Sequence, residues 1–331
     1  MRRVAALLAA VLAIGALGGC GGGGAEPGAP KGATLVLDFQ PNAVHSGIYA
    51  AQANGDFTDE GIDLHIQEPS STADSAKLLE TGRADFAVMD INDFGIARER
   101  GLDLVAISAI VQRPLASVIA RDPNEIRSPA DLAGKTIGVT GVPSDDAVLD
   151  TVLRSRGVDP SDVRRVTIGF NAVAELAAGK VDAATGFWNA EGVELQQHGI
   201  PIREFRVDQF GGTMYPELVV ATTPDSCAIA RSFATALDRA YTGPLSQDPD
   251  SALSDLLAEV NGLDADSQKQ QLDALLAGDA FSPVEAGDEN PVPSAVLAPI
   301  DGRAWLTWAR TNGLIAPADA PRIQGGFAGC S

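Results

Sequence analysis

Cysteine, histidine and positive charge are scarce in this 331-residue chain, and each shortage removes a class of function. The three histidines, His45, His65 and His198, have no metal-ligand spacing among themselves or with the three cysteines, so no metal site is expected. Lysine and arginine number 24 against 44 acids, giving a formal charge of −20. Nucleic acid is not an expected partner, because its binding relies on basic side chains neutralising phosphates. The run from Val4 to Leu17 is too short for a membrane span, which needs about 20 residues. Catalytic motifs are missing as well. There is no G-x-S-x-G elbow. "AGKT" at Ala133–Thr136 has Pro129 where a phosphate loop needs glycine. "DPDSALSD" lacks the glycine and terminal glutamate of a calcium loop. No cofactor is expected.

What is present begins with a leader. Arg2 and Arg3 precede the apolar run, which ends in small residues and Cys20, as a signal peptide over 1–19 would. "LGGC" resembles a bacterial lipobox, which would leave Cys20 as a lipidated first residue. An ordinary secretion signal with an incidental Cys20 is the alternative. The glycine-rich stretch that follows, within 20–33, reads as a flexible tether. Together these describe a protein held by its lipid on the outer face of the cell membrane. Loss of Arg2 and Arg3 takes the formal charge to −22. In an oxidising compartment Cys227 and Cys330 could pair and pin the C-terminal tail, or stand as two buried thiols.

From Thr34 the chain alternates strand-like and helix-like runs, which means βαβ units and a mostly parallel sheet. "TLVLDF", "DLHIQEP", "ADFAVMD" and "LVAISAIV" form one series of strands. "KTIGVTG", "VRRVTIG" and "VDAATGFW" form a second. "LLETGRADFAV" is echoed 97 residues later by "ELAAGKVDAAT", each a helix end, glycine, base and aspartate before a strand. Two α/β lobes of similar build are expected, although αβ loops commonly carry such a glycine. Strand-like segments at "SVIARDPNE" and "YPELVVATTPD" bracket the second series as two hinge strands would. Lobe I is then expected over 34–121 and 220–331, and lobe II over 122–219. From about Asp225 the pattern is helical, and Trp305 and Trp308 at i, i+3 read as packing.

Ligands of open α/β sheets sit beyond the carboxyl ends of strands. The loops there are Asp38–Gly47, Pro69–Asp74, Met89–Asp93, Thr140–Asp146 and Phe187–Glu191. Their aromatics, amides and acids suit a flat ligand with a polar edge. Asp145 and Asp146 open a helix and read as dipole-favoured capping acids.

The run from "LDFQPNAVHSGIYAAQANGDFTDEGIDLHIQEP" to "LLETGRADFAV", with "L-GK-IG", "PSD", "GFW" and "YPELV" further on, resembles a known family. It is similar to the periplasmic pyrimidine-binding proteins of thiamine-precursor ABC importers, over roughly Thr34 to Thr223. These share a fold with the yeast-type thiamine-pyrimidine synthases. The resemblance implies a type II periplasmic-binding-protein fold: two α/β lobes joined by two hinge strands, with the ligand in the cleft between them. It implies partners too: a small-molecule ligand, an ABC permease and its cytoplasmic ATPase, and the membrane through the N-terminal lipid. A monomer is expected. The synthases' cofactor-binding lysine would fall on Met89, their consumed histidine on Asp93, and their cysteine-rich run on Gly211–Tyr215, so transport rather than synthesis is implied. The enzyme stays as the alternative of another class. Riboflavin, or a sulfonate or other anion, stays as an alternative ligand.

The same resemblance implies the site. Phe39, Trp188 and Tyr215 would stack on a ring, and Glu217 would accept bonds from an exocyclic amine. Asp38, Asn42 and His45 would form the lip of the first lobe, with Ser70 and Ser71 offering hydroxyls. Met89 and Asp90 would form the floor, and Ser144 and Asn189 would close from the second lobe. Packing or helix capping is the competing role for most of these side chains.

Overall fold

Two five-stranded sheets carry the fold. The computed structural model describes residues 30–69, 74–282, 300 and 302–330. Cys20, its leader and tether, and Ser70 and Ser71 lie outside the described residues. The strands in chain order are β1 (Lys31–Val36), β2 (Ile62–Gln67), β3 (Phe86–Asp90), β4 (Val105–Val111) and β5 (Ala116–Arg121). They continue with β6 (Thr136–Val139), β7 (Arg164–Thr167), β8 (Ala183–Phe187), β9 (Ile202–Arg206) and β10 (Leu218–Thr222). The first sheet runs β2-β1-β3-β10-β4 and the second β7-β6-β8-β5-β9. In each, the first three strands are parallel and the fourth runs antiparallel to both neighbours.

The sheets correct the expected lobe limits. β5 pairs with β8 and β9, so residues 116–121 belong to the second lobe rather than the first. β10 pairs with β3 and β4, so residues 218–219 belong to the first. The chain passes between the lobes at 112–115 and again between Arg206 and Leu218. Pro114 explains the earlier break. It has no N–H for a ladder, so the apolar run "LVAISAIVQRPLASVIA" is split there into two strands of different sheets. β9 went unrecognised in the sequence because Arg203, Glu204 and Arg206 hide its alternation. It is an edge strand, where charge is tolerated.

The internal echo has a physical counterpart. Gly82 and Gly179 end their helices at φ +65° and +68°, a left-handed conformation that costs glycine little. Three residues on, Asp85 Oδ2 accepts the N–H of Thr34 in β1 at 2.9 Å, and Asp182 Oδ2 accepts that of Thr136 in β6 at 2.8 Å. Each aspartate therefore sets the register of its lobe's central pair of strands.

Side-chain alternation builds a core on both faces of the first sheet. Phe86 and Val88 pack on one side, where Phe86 stacks on Phe233 of the helix Cys227–Thr242 at 4.0 Å. Ala87 and Met89 pack on the other, against Trp305, Trp308 and Phe327. The Trp305 indole lies over Gly95, where an added Cβ would fall 2.1 Å from the ring. Cys227 and Cys330 form a disulfide with Cα atoms 5.4 Å apart.

Candidate functional site

The carboxyl ends of the strands in both lobes face one cavity of about 130 Å3. β1 leads to Asp38 and Phe39, with Asn42 and Val44 just beyond. β3 ends in Met89 and Asp90, and Asp93 follows in the first turn of the helix Ile91–Glu99. From the second lobe, β6 supplies Thr140 and then Ser144 and Asp145 in the first turn of the helix Pro143–Arg154. β7 is followed by Phe170, and β8 by Asn189 and Glu191. Phe170 is the one large apolar side chain left exposed among the described residues, at 52%. Its ring meets Phe39 edge-on across the cleft, with centroids 5.2 Å apart.

Five carboxyl groups lie in a largely apolar lining: Asp38, Asp90, Asp93, Asp145 and Glu191. No lysine or arginine lines it among the described residues. Beyond those residues the chain has basic groups only at Arg2 and Arg3. Burial, with Asp90 and Asp145 adding repulsion, pushes the Asp93 carboxyl up to about 8. Burial and then Glu217 hold Asp90 well above the usual range. Burial also raises Glu191, although its Oε2 accepts the Phe187 N–H at 2.9 Å. Asp145 Oδ2 accepts from Thr140 N, Thr140 Oγ1 and Thr185 Oγ1 at 2.6, 2.6 and 2.8 Å.

Asn189 is the most telling neutral group. It is 1% exposed and lines the cavity, yet neither its amide oxygen nor its amide nitrogen has a hydrogen-bond partner. A buried amide left unpaired at both ends costs several kcal/mol, on the order of 1–3 per group. Among the buried unpaired groups described, Asn189 is the one that faces the cavity, where a ligand could pair it.

Of the expected contacts, Asp38, Phe39, Asn42, Met89, Asp90, Ser144 and Asn189 line the cavity. His45, Trp188, Tyr215 and Glu217 do not, and each is bound elsewhere. His45 is fully buried behind Asp38. Its Nδ1 accepts the Asn42 N–H at 3.2 Å, which places the ring proton on Nε2, 2.8 Å from Asp38 Oδ1. It caps the turn Ala43–His45 and orients Asp38. Trp188 follows Phe187 and turns away from the cavity. Its Nε1 donates to Pro114 O at 3.1 Å and its ring lies 4.0 Å under Arg206. Tyr215 packs on Trp308, with centroids 5.6 Å apart. Glu217 is fully buried and does not line the cavity. Its Oε2 accepts the N–H of Leu115 and, at 3.0 Å, that of Ala116, so it ties one lobe crossing to the other. Burial raises its carboxyl too.

Asp93, Asp145, Phe170 and Glu191 line the cavity as well, although none was among the expected ligand contacts. All but Phe170 lie in the strand-end loops named from the sequence. Acids in a helix's first turn satisfy the dipole wherever they point, so helix position alone does not separate a capping acid from a lining one. Among the described residues no group of three or more His, Cys, Asp or Glu is placed to hold a metal ion.

The comparisons with known proteins agree with this geometry. The family model described as NMT1/THI5 like matches residues 42–252. The chain belongs to the NMT1/THI5-like family. Within it, this member is 32% identical to the formylaminopyrimidine-binding protein of Halalkalibacterium halodurans, over 67% of this chain and 69% of that one. It is 28% identical to the 4-amino-5-hydroxymethyl-2-methylpyrimidine phosphate synthase THI12 of Saccharomyces cerevisiae, over 50% of this chain and 48% of that one. Family members thus include both a binding protein and synthases. The fold matches the alkanesulfonate-binding protein SsuA of Xanthomonas axonopodis pv. citri bound to MOPS. The TM-score is 0.66 at 18% identity, covering 89% of this chain and 98% of that one. The fold is therefore that of a type II periplasmic binding protein, with two α/β lobes.

Proposed function

We propose that this protein is the substrate-binding component of an ABC importer and that it captures an aminopyrimidine precursor of thiamine. The observation that carries the ligand class is the unpaired Asn189 amide in an aromatic, acid-lined cavity. An aminopyrimidine edge carries a donor N–H beside an acceptor ring nitrogen, and an amide answers both at once. Phe39 and Phe170 supply ring faces from opposite lobes. The cavity volume suits one ring, since an engineered cavity of about 150 Å3 accepts a benzene molecule. The carboxylates and the lack of a lining base argue against a sulfonate, although the fold is shared with sulfonate binders.

Capture without chemistry is the reading that suits the walls. Met89, a thioether, lines the cavity and forms no imine. The protein would work as a monomer outside the cytoplasm, anchored through Cys20, and hand its ligand to a permease driven by a cytoplasmic ATPase. Mass labelling of Cys20 by a lipid in membrane fractions tests the anchor. For the ligand, a thermal-shift series is decisive. Formylaminopyrimidine or hydroxymethylpyrimidine should raise the melting temperature and MOPS should not. A shift with MOPS alone would overturn the assignment.

A further inference from the structure

The acid lining asks for more than a neutral ring. Five carboxyl groups face the cavity: Asp38, Asp90, Asp93, Asp145 and Glu191, with no base among the described lining residues to neutralise them. Their bonds within the protein account for part of this crowd. His45 holds Asp38, and the two threonines hold Asp145. The N–H of Asn92 binds Asp90 at 2.6 Å, and that of Phe187 binds Glu191. Among the described residues Asp93 makes no hydrogen bond or ion pair, and it sits near acids of other elements. Asp90 at the end of β3, Asp38 after β1 and Asp145 in the second lobe all repel it, and Arg100, at the far end of its own helix, opposes them. Asn189 provides the independent sign that this space receives a ligand.

We propose that the ligand enters as a cation, an aminopyrimidine whose side arm ends in a free protonated amine, and that Asp93 is its counter-ion. The inference rests on the aminopyrimidine reading above and refines it. A primary alkylamine keeps its proton at neutral pH, as lysine does. A buried ammonium needs an ionised partner, and an aromatic face adds to its binding. Phe39 and Phe170 provide such faces at the cleft mouth. In the empty protein Asp93 is mostly protonated at neutral pH, because its carboxyl titrates at about 8. Entry of the cation displaces that proton to solvent: Asp93 goes from acid to carboxylate while the amine keeps its own proton. Affinity for the cation therefore rises with pH until Asp93 is ionised unaided.

The test compares two ligands that share a ring. One is formylaminopyrimidine, whose arm is a neutral amide. The other is the aminomethylpyrimidine left when its formyl group is removed. Titration calorimetry on the mature protein at about pH 6 and about pH 8 should show the ratio of amine to formyl affinity rising about tenfold or more. Repeating the amine titration at about pH 6 in buffers of different ionisation enthalpy should show about one proton released per ligand bound. Asp93→Asn should bind the formyl compound and lose the pH slope for the amine. An affinity ratio that stays constant with pH, or amine binding without proton release, overturns the counter-ion. Binding of the formyl compound alone also overturns it and leaves the aminopyrimidine reading standing. Binding of neither compound overturns both. If Asp93→Asn lowers the melting temperature, proton release in the unmodified protein still decides.

Discussion

At the scale of single residues, the site is defined by groups whose needs the protein does not meet alone. Asn189 has two unpaired amide atoms in a buried position. Asn189→Ala should weaken aminopyrimidine binding by roughly 30- to 150-fold, as expected for a lost pair of hydrogen bonds of about 1–1.5 kcal/mol each. The same change should leave the empty protein as stable as before or more so, since it removes an unsatisfied amide. Calorimetry and a urea midpoint on one sample read both outcomes. His45 acts at one remove, by holding Asp38 and capping the turn behind it. His45→Ala should cost about 1–3 kcal/mol of stability through the buried groups it leaves unpaired, with weaker binding alongside. Unchanged stability would show that His45 does not hold Asp38.

Asp93 gives stability a pH dependence of definite sign. Its carboxyl is raised from 3.8 to about 8 by burial, so the folded state favours the protonated form. That contribution is complete below the unfolded value and is lost as pH rises through the folded one. The empty protein should therefore lose stability between about pH 4 and pH 8, by at most about 1.4 kcal/mol per pH unit from this one group. Asp90, Glu191 and Glu217 are raised as well and act in the same direction. Asp93→Asn should flatten the slope without abolishing it. Urea midpoints taken across this range would show an unchanged slope if Asp93 were solvated.

At the scale of elements, the two chain crossings decide how the lobes are joined. Glu217 stands at the second crossing and binds backbone N–H groups at the first. Glu217→Ala leaves the Leu115 and Ala116 amides without that partner and should destabilise the protein by about 1–3 kcal/mol for each buried amide left unpaired. A loss within the range of surface substitutions, read from thermal unfolding, would mean the brace is not used. Most elements could be read from the sequence because both lobes repeat strand, helix, glycine and aspartate at matching positions. Asp85 and Asp182 show why the echo exists, since each receives a strand N–H from its neighbour. The lobe limits were less legible. A proline inside an apolar run says that a strand ends, but the sheet that takes the next strand is a long-range choice. The site was legible as loops and only partly as side chains. Phe187 and Trp188 are adjacent in sequence, yet the first lines the cavity and the second packs beneath Arg206. Local pattern does not resolve a one-residue difference in direction at the end of a strand.

At the scale of the whole molecule, the C-terminal segment returns to the first lobe and is covalently held there. The Cys227–Cys330 bridge closes a loop with a sequence separation of 103. In the chain-entropy account a loop of that size contributes about 4.7 kcal/mol. Reduction should lower the melting temperature clearly while leaving the cavity's residues untouched, since neither cysteine lines it. The lobes are joined at two crossings and meet at Phe39 and Phe170 over the cavity. That arrangement is suited to closing over a ligand of one ring. The central claim is that this acid-bearing cleft takes an aminopyrimidine. Titration calorimetry of formylaminopyrimidine into the protein at neutral pH tests it most directly. Saturable binding with one site per chain, weakened by Asn189→Ala, is the predicted result; no saturable heat, with MOPS binding in its place, would contradict it.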